Sequence, residues 1–518
     1  MLTMFPSKIT TLPPGVTTTG HSAHSPAPSL RARGASTSSI RPADQATLDY
    51  RQQRRQVHHE ADVVIVGAGI VGCAAAVAFG KQGRSVILLE KSLKEPDRIV
   101  GELLQPGGVN ALEQLGLRDC LEGIDAIPCY GYDVIYHREP VRIPYPNNLI
   151  EPAPAKGPEG RSFHHGRFIS KLRAAARAAP NVTVVETTVT DVVTSDYTGQ
   201  VVGVECQTAS AKDYYFGAVT LVADGYASKF RKQHIPHTPE VRSRFYALEM
   251  IDAELPSPYH GHVILTDAPP ILIYQIGTHE TRILIDVPEG LPSASVKNGG
   301  VKNHFMNVVL PNLPECARPS FRHAVEHGKL RSMPNSFLPP SVQKTLGLIM
   351  LGDAMNMRHP LTGGGMTVAF NDVVTLTSLL EPSRVPNLED TTAVLAAMST
   401  FHWQRKSGSS VINILAMALY SLFAANNPQL TSLKNGCFRY FQRGGACVSE
   451  PAGLLSGLLR NPWTLVYHFF SVAFYAIRCR LAEAPIWMAP YVLTVESVMI
   501  VWTAAMTIGP YILCELRR

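Results

Sequence analysis

The sequence predicts a mixed α/β (α+β) protein with a nucleotide-binding domain, a second domain built on a β-sheet, and a C-terminal helical region that meets a membrane. Three observations carry this. Residues 61–90, ADVVIVGAGIVGCAAAVAFGKQGRSVILLE, read as strand, glycine turn, Ala-rich helix and second strand. Residues 236–346 are punctuated by prolines and contain short β-rich pieces such as ILIYQI and RILIDV. From about residue 400 the pattern turns helical and increasingly apolar.

The 518 residues have room for more than one domain. Only 17% are charged, below the usual share of about 25%, whereas 45% are hydrophobic, enough for a large core with apolar surface left over. The net charge of +6 is modest and no dense basic run with interleaved aromatics occurs, which argues against nucleic-acid binding. Nine scattered cysteines without CxxC pairs suggest reduced thiols facing the cytosol, not a disulfide framework or a zinc site. Residues 1–58 hold seven Lys/Arg against two Asp and are rich in Ser, Thr, Pro and Gly. Pro13, Pro14, Pro26 and Pro28 oppose the amphipathic helix of a transit peptide, so the expectation is a disordered tail.

After the βαβ unit, FISKLRAAAR (168–177) reads as a helix and VTVVE (182–186) as a buried strand. TLVADG (220–225) and LGLIMLGD (346–353) are apolar strands ending in turns. In the tail, residues 412–425, 463–477 and 497–514 are apolar, and only the last approaches the length of a spanning helix. The expectation is membrane attachment by helices lying in or dipping into one leaflet.

The chemistry starts at Gly67-Ala68-Gly69-Ile70-Val71-Gly72. In a Rossmann-like unit Gly67 makes the tight turn, Gly69 lets the backbone approach a pyrophosphate, and Gly72 permits close helix–strand packing. The helix N-terminus offers free N–H groups to phosphate. Glu90 ends the next strand, where an acid accepts from a ribose hydroxyl. An adenine dinucleotide is therefore expected. Asp224-Gly225 and Gly352-Asp353 each close a later strand; alone, either is an ordinary turn. His164, His165 and His359 form no ligand set with nearby carboxylates, so no metal is expected.

Together these motifs resemble the flavoprotein monooxygenases of the para-hydroxybenzoate hydroxylase type. DRIVGELLQPGG (97–108), GRSFHHGRF (160–168), LRSMPNSFLPPS (330–341) and DAMNMRHPLTGGGMTVAF (353–370) sharpen this to a resemblance to the squalene monooxygenase (squalene epoxidase) family from about residue 60 to near the C-terminus. The resemblance implies FAD as cofactor. Its contacts would fall at Ile70, Val71, Glu90, Arg98, Leu103, Arg173, Val189, Asp353 and Met366, besides the turn glycines Gly67, Gly69 and Gly72. The active-site tyrosine maps to Tyr132 and its hydrogen-bonding neighbour to Gln105.

The implied domains are an FAD-binding domain (60–92, 170–203 and 345–417), a substrate-binding domain (93–169 and 204–344) and a C-terminal helical membrane-associated region (418–518). The implied reaction is epoxidation of squalene with O2 to (S)-2,3-epoxysqualene, through a flavin C4a-hydroperoxide, in ergosterol-type sterol biosynthesis. The implied partners are NADPH-cytochrome P450 reductase as electron donor and membrane lipid. The implied location is the endoplasmic reticulum membrane with the catalytic domain facing the cytosol, and lipid droplets second. Two rival readings stand beside it: an isoprenoid reductase of the same fold, and a non-catalytic isoprenoid-binding escort.

Overall fold

The computed structural model describes residues 59–147, 157–208, 211–424 and 427–517; the tail expected over 1–58 lies outside them. Strand β1 (Glu60–Val66) enters the glycine turn, helix α1 (Ile70–Lys81) follows, and β2 (Val86–Glu90) returns parallel to β1. The short β3 (Leu103–Leu104), α2 (Pro106–Gln114), β4 (Ile127–Cys129), the hairpin β5 (Gly131–Tyr136) and β6 (Glu139–Pro144), and β7 (Gly160–Ser162) come next. Helix α3 (His165–Ala178) leads into β8 (Val182–Glu186), β9 (Thr188–Thr194), β10 (Val201–Gln207) and β11 (Lys212–Val222). A second run of strands follows: β12 (Glu240–Ile251), β13 (Gly261–Leu265), β14 (Ile271–Gln275) and β15 (Glu280–Val287). Helix α4 (Arg318–His327), β16 (Arg331–Phe337) and β17 (Leu348–Met350) complete the sheets.

The first sheet has the order β8-β2-β1-β11-β10-β9, with β17 added parallel to β11. Its central strands are buried on both faces, as parallel strands covered by helices must be, and so read as continuous apolar runs. The second sheet has the order β16-β12-β15-β14-β13-β5-β6, and α4 covers part of it through Phe321, Ala324 and Val325. The division of the chain differs here from the expectation. Residues 204–222, expected in the substrate domain, belong to the first sheet: β10 and β11 form one antiparallel hairpin and β11 lies beside β1. An apolar strand such as TLVADG carries no mark of which sheet it will join.

The longer helices that follow are α5 (Gly365–Leu379), α6 (Thr391–Phe423), α7 (Pro428–Phe441), α8 (Ala446–Ser456), α9 (Pro462–Glu483) and α10 (Ser497–Leu516). Side chains of Asp390, Asn427 and Asn461 cap α6, α7 and α9 by accepting from Ala393, Leu430 and Trp463 backbone N–H groups. The apolar stretch beginning at Ile412 does not face outward. Ile412, Ile414, Leu415, Met417 and Ala418 are buried inside α6 against neighbouring helices. By contrast, α9 and α10 expose Trp463, Tyr467, Phe474 and Trp502, and Trp487 between them is exposed too. Among the described residues one unbroken helical stretch, Ile486–Leu516, is long and apolar enough to cross a membrane.

Candidate active site

Parallel strands bring their carboxyl ends to one edge of a sheet, and ligands bind there. Here β1, β11 and β17 end together. Ala223 N–H donates to Val66 O (2.8 Å), Leu351 N–H to Val222 O (3.0 Å), and Gly67 N–H to Leu89 O (2.7 Å). Three turns far apart in sequence, Gly67–Gly72, Asp224–Gly225 and Gly352–Asp353, thereby line one cleft of about 2150 Å³, its open mouth included.

The first turn is sterically specified. Gly67 has φ +101°, and a Cβ there would stand 2.7 Å from Ala223 O, so neither conformation nor space admits another residue. A Cβ on Gly72 would stand 1.8 Å from Gly67 O, whereas one on Gly69 would meet nothing within 4 Å. Gly69 is therefore open toward the cleft, a cradle that protein atoms leave free. Glu90 fixes the turn by accepting from Ala68 N–H (2.8 Å) and Ser92 N–H (3.2 Å), and it lines the cleft. Arg173 is neither a surface residue nor a cleft residue. Its buried guanidinium donates to Ala68 O (2.9 Å) and Lys94 O (2.9 Å), with Glu90 at 3.5 Å. The fork expected to reach cofactor oxygens is used on the turn itself. Gly72 likewise lies behind the cleft, in the helix–strand contact.

Gly67, Gly69, Ile70, Val71, Glu90, Arg98, Leu103, Val189, Asp353 and Met366 all border the cleft. Arg98 stands 3.7 Å from the Asp353 carboxylate and over the Tyr226 ring. Arg231 braces the two later turns: it donates to Gly225 O, Tyr226 O, Asp353 O and Ala354 O at 2.8–3.1 Å. Asp224 accepts from Lys229 N–H (3.0 Å), but its other oxygen is buried in the cleft wall without a partner. An orphaned acceptor beside the open Gly69 cradle suits a ligand with hydroxyl donors. Helix α5 begins at Gly365, so its first turn also opens on the cleft.

At the other end of the cleft, Tyr132 is the second residue of β5 and forms part of the wall. Gln105 is wholly buried behind it and does not border the cleft. Its Nε2 donates to Tyr132 Oη and to Thr362 O (2.9 Å), while Oε1 accepts from Tyr145 Oη (2.7 Å). Tyr132 Oη lies 3.3 Å from Thr362 O, to which it donates. Both N–H groups and the oxygen of the amide are engaged, so its orientation is fixed. Burial pushes the Tyr132 hydroxyl well above the usual phenol range, and it stays protonated. Gln105 thus acts through Tyr132, as a positioning residue.

Several residues of the site escaped the sequence reading. Tyr145 sits thirteen residues past Tyr132 on the chain with no motif around it. Glu102, 1% exposed, is held by Arg282 through two 2.9 Å bonds and by Tyr274 Oη (3.3 Å), tying the GELLQPGG segment to the second sheet. Glu102 and Tyr274 both border the cleft. His165 lies on it too, bonded to Gly101 O (2.9 Å).

Residues 216–494 match the family described as squalene epoxidase, and residues 62–96 match the FAD dependent oxidoreductase family. The squalene epoxidase of Aspergillus fumigatus is 64% identical over 470 residues, covering 90% of this chain and 96% of that one. The chain belongs to the squalene epoxidase family. The squalene monooxygenase of Mus musculus is 42% identical, over 88% of this chain and 78% of its own. Among solved structures, p-nitrophenol 4-monooxygenase from Pseudomonas putida shares the fold at TM-score 0.61, with 18% identity over 77% of this chain and 98% of that one. A flavin-dependent brominase shares it at TM-score 0.62, with 16% identity over 81% and 100%. A member of the squalene epoxidase family takes FAD, and the open cradle at Gly69 and the orphaned Asp224 oxygen fit that cofactor. The reductase and escort readings are not favoured.

Proposed function

We propose that this chain is an FAD-dependent squalene monooxygenase forming (S)-2,3-epoxysqualene with O2 in sterol biosynthesis. One observation supports this above others: a single cleft joins a dinucleotide turn at one end to a buried tyrosine–amide cluster and an apolar wall at the other. The residues between the Gly67–Gly72 turn and Gly363–Gly365 would hold the cofactor. The turn N–H groups and Arg98 would meet its phosphates, Glu90 and Asp224 would accept from its hydroxyls, and Asp353 and Met366 would meet its flavin half. Leu103 and Val189 would contact it through apolar surface, and Arg173 holds the turn in shape.

Bound and reduced, FAD supplies the activation of O2 for transfer of one oxygen atom. The residues supply position and dryness. Val263, Leu272, Leu284, Met333, Pro334 and Leu361 line the second half of the cleft and offer a hydrocarbon an apolar path. An alkene has no proton to lose, so no general base is needed. Tyr132, held by Gln105 and Thr362 O, orients the wall where ring and alkene meet and keeps bulk water out.

The finer assignments follow from the same reading. Electrons come from NADPH through cytochrome P450 reductase. The exposed aromatic and apolar face of α9 and α10 lies against lipid of the endoplasmic reticulum membrane, with the two sheets on the cytosolic side. Squalene then enters from the bilayer without crossing water. The decisive experiment incubates the purified chain with squalene, FAD, NADPH and the reductase under labelled O2. Labelled 2,3-epoxysqualene is expected; a saturated product, or none, overturns the reading.

A further inference from the structure

Helix α6 carries a buried polar stripe that no part of the reaction uses. His402, Arg405, Lys406, Ser409, Ser410 and Asn413 recur at helical spacing and are all buried. Asn356, Arg358, Asp372 and, from the last turn of α10, Glu515 pack around Arg405 and Asn413. Asn356 Oδ1 is the hub, accepting from Arg358 Nη2 (2.8 Å), Arg405 Nη2 (3.2 Å) and Asn413 Nδ2 (3.1 Å). Asn413 Nδ2 also donates to Glu515 Oε1 (2.8 Å), and Arg405 holds Asp372 through two bonds of 3.0 and 2.8 Å. Lys406 Nζ donates to Arg517 O (2.8 Å) just beyond. At the opposite end, Arg358 donates to Gly365 O (3.4 Å), and both residues border the FAD cleft.

Glu515 is 6% exposed, and its second carboxylate oxygen has no hydrogen-bond partner. Helix packing alone does not account for a buried carboxylate so sparsely satisfied, because an aliphatic residue of similar size would pack there without the desolvation cost. Its charge instead complements the excess of buried cations, Arg358, Arg405 and Lys406, over Asp372. The chain of contacts from Glu515 to Gly365 passes through only Asn413, Asn356 and Arg358.

We propose that Glu515 is a positioning residue that seats the C-terminal helix against the flavin cleft, so that the seating of α10 and the Arg358–Gly365 wall form one coupled unit. The proposal rests on the FAD site described above. It is tested in the full chain by comparing E515Q, N413A and I508A. Ile508 is buried on α10 outside the polar network, so its truncation loosens the helix without touching the link. FAD affinity is read by flavin fluorescence, the flavin midpoint potential by titration, and stability by melting. E515Q and N413A are expected to weaken FAD binding about tenfold, within the usual range for coupled sites, and to shift the potential. I508A is expected to lower the melting temperature while leaving FAD affinity within about twofold of wild type and the potential unshifted. Wild-type FAD parameters in N413A, which keeps every charge and decides the matter if E515Q does not fold, overturn the proposal. So does an equal loss in I508A. Failure of the wild-type chain itself to bind FAD would instead overturn the site reading.

Discussion

Replacing Gly69 and Gly72 by alanine separates the binding role of the first turn from its folding role. Each substitution adds one methyl group, three residues apart. At Gly69 the new Cβ meets no atom within 4 Å and the backbone is extended (φ −91°, ψ −160°), so alanine fits. The restricted unfolded chain adds about 0.4–1 kcal/mol of stability, and the poorer helix cap removes a similar amount. Folding stability should therefore hold to within about 1 kcal/mol. Cofactor affinity should not, because the methyl group fills the space through which the pyrophosphate reaches the helix N–H groups. One lost hydrogen bond to a charged group is worth about 1.5–3 kcal/mol, which predicts FAD binding weaker by about 10- to 150-fold. At Gly72 the Cβ would lie 1.8 Å from Gly67 O, and Gly67 is itself pinned against Ala223. Neither backbone can yield locally, so the cost exceeds the ~3 kcal/mol of ordinary overpacking. Fluorescence titration with FAD and calorimetry of the flavin-free chain read the two quantities. Wild-type FAD affinity in G69A refutes the approach of the pyrophosphate over Gly69, and wild-type melting in G72A refutes the packing argument.

Y132F should keep FAD bound, since Gln105 retains Thr362 O and Tyr145, but should lower epoxide formation roughly tenfold or more; unchanged turnover removes Tyr132 from the reaction. Y145F leaves Gln105 Oε1 buried without its donor and should cost about 1–3 kcal/mol; melting at the wild-type temperature shows that the amide is held otherwise. Burial lowers the pKa of His165 from 6.5 to about 3, so between those values the unfolded chain binds the extra proton and stability falls as pH drops below 6.5. At pH 5 the loss is about 2 kcal/mol. H165N, which keeps a donor for Gly101 O, should flatten this acid limb in urea unfolding of the flavin-free chain; an unchanged slope refutes the assignment.

Much of this architecture was legible because its signals are local. A strand, GxGxxG and an Ala-rich helix announce themselves within a short window, and the acid at Glu90 falls where the βαβ unit puts it. What stayed hidden depends on contacts between distant segments. Arg173 reads as any helical arginine until α3 is docked on the turn, and Tyr145 reads as a strand-end tyrosine until the β5–β6 hairpin folds it back onto Gln105. The apolar tail shows the same limit from another side. Residues 412–418 and 463–474 are both apolar as sequence, yet the first is enclosed by other helices and the second leaves Trp463, Tyr467 and Phe474 exposed. Composition records the preference for leaving water without recording what provides the shelter.

The polar groups around the apolar half of the cleft point to the same function from a direction that motifs do not reach. Squalene offers no hydrogen bond, so any donor or acceptor it covers must already be satisfied, or binding forfeits about 1–3 kcal/mol for each one stranded. Two networks there meet that condition among themselves. Gln105, Tyr132, Tyr145 and Thr362 O close one network, and Glu102, Arg282 and Tyr274 close another. The dinucleotide half is built the opposite way, with an orphaned Asp224 oxygen and an open Gly69 cradle awaiting partners. A wall with these networks closed at one end and the Asp224 oxygen and Gly69 cradle left open at the other suits an enzyme that holds a charged cofactor and a hydrocarbon in one cleft. Substitutions that strand Gln105 or Glu102 should therefore weaken squalene binding even where they leave FAD affinity intact.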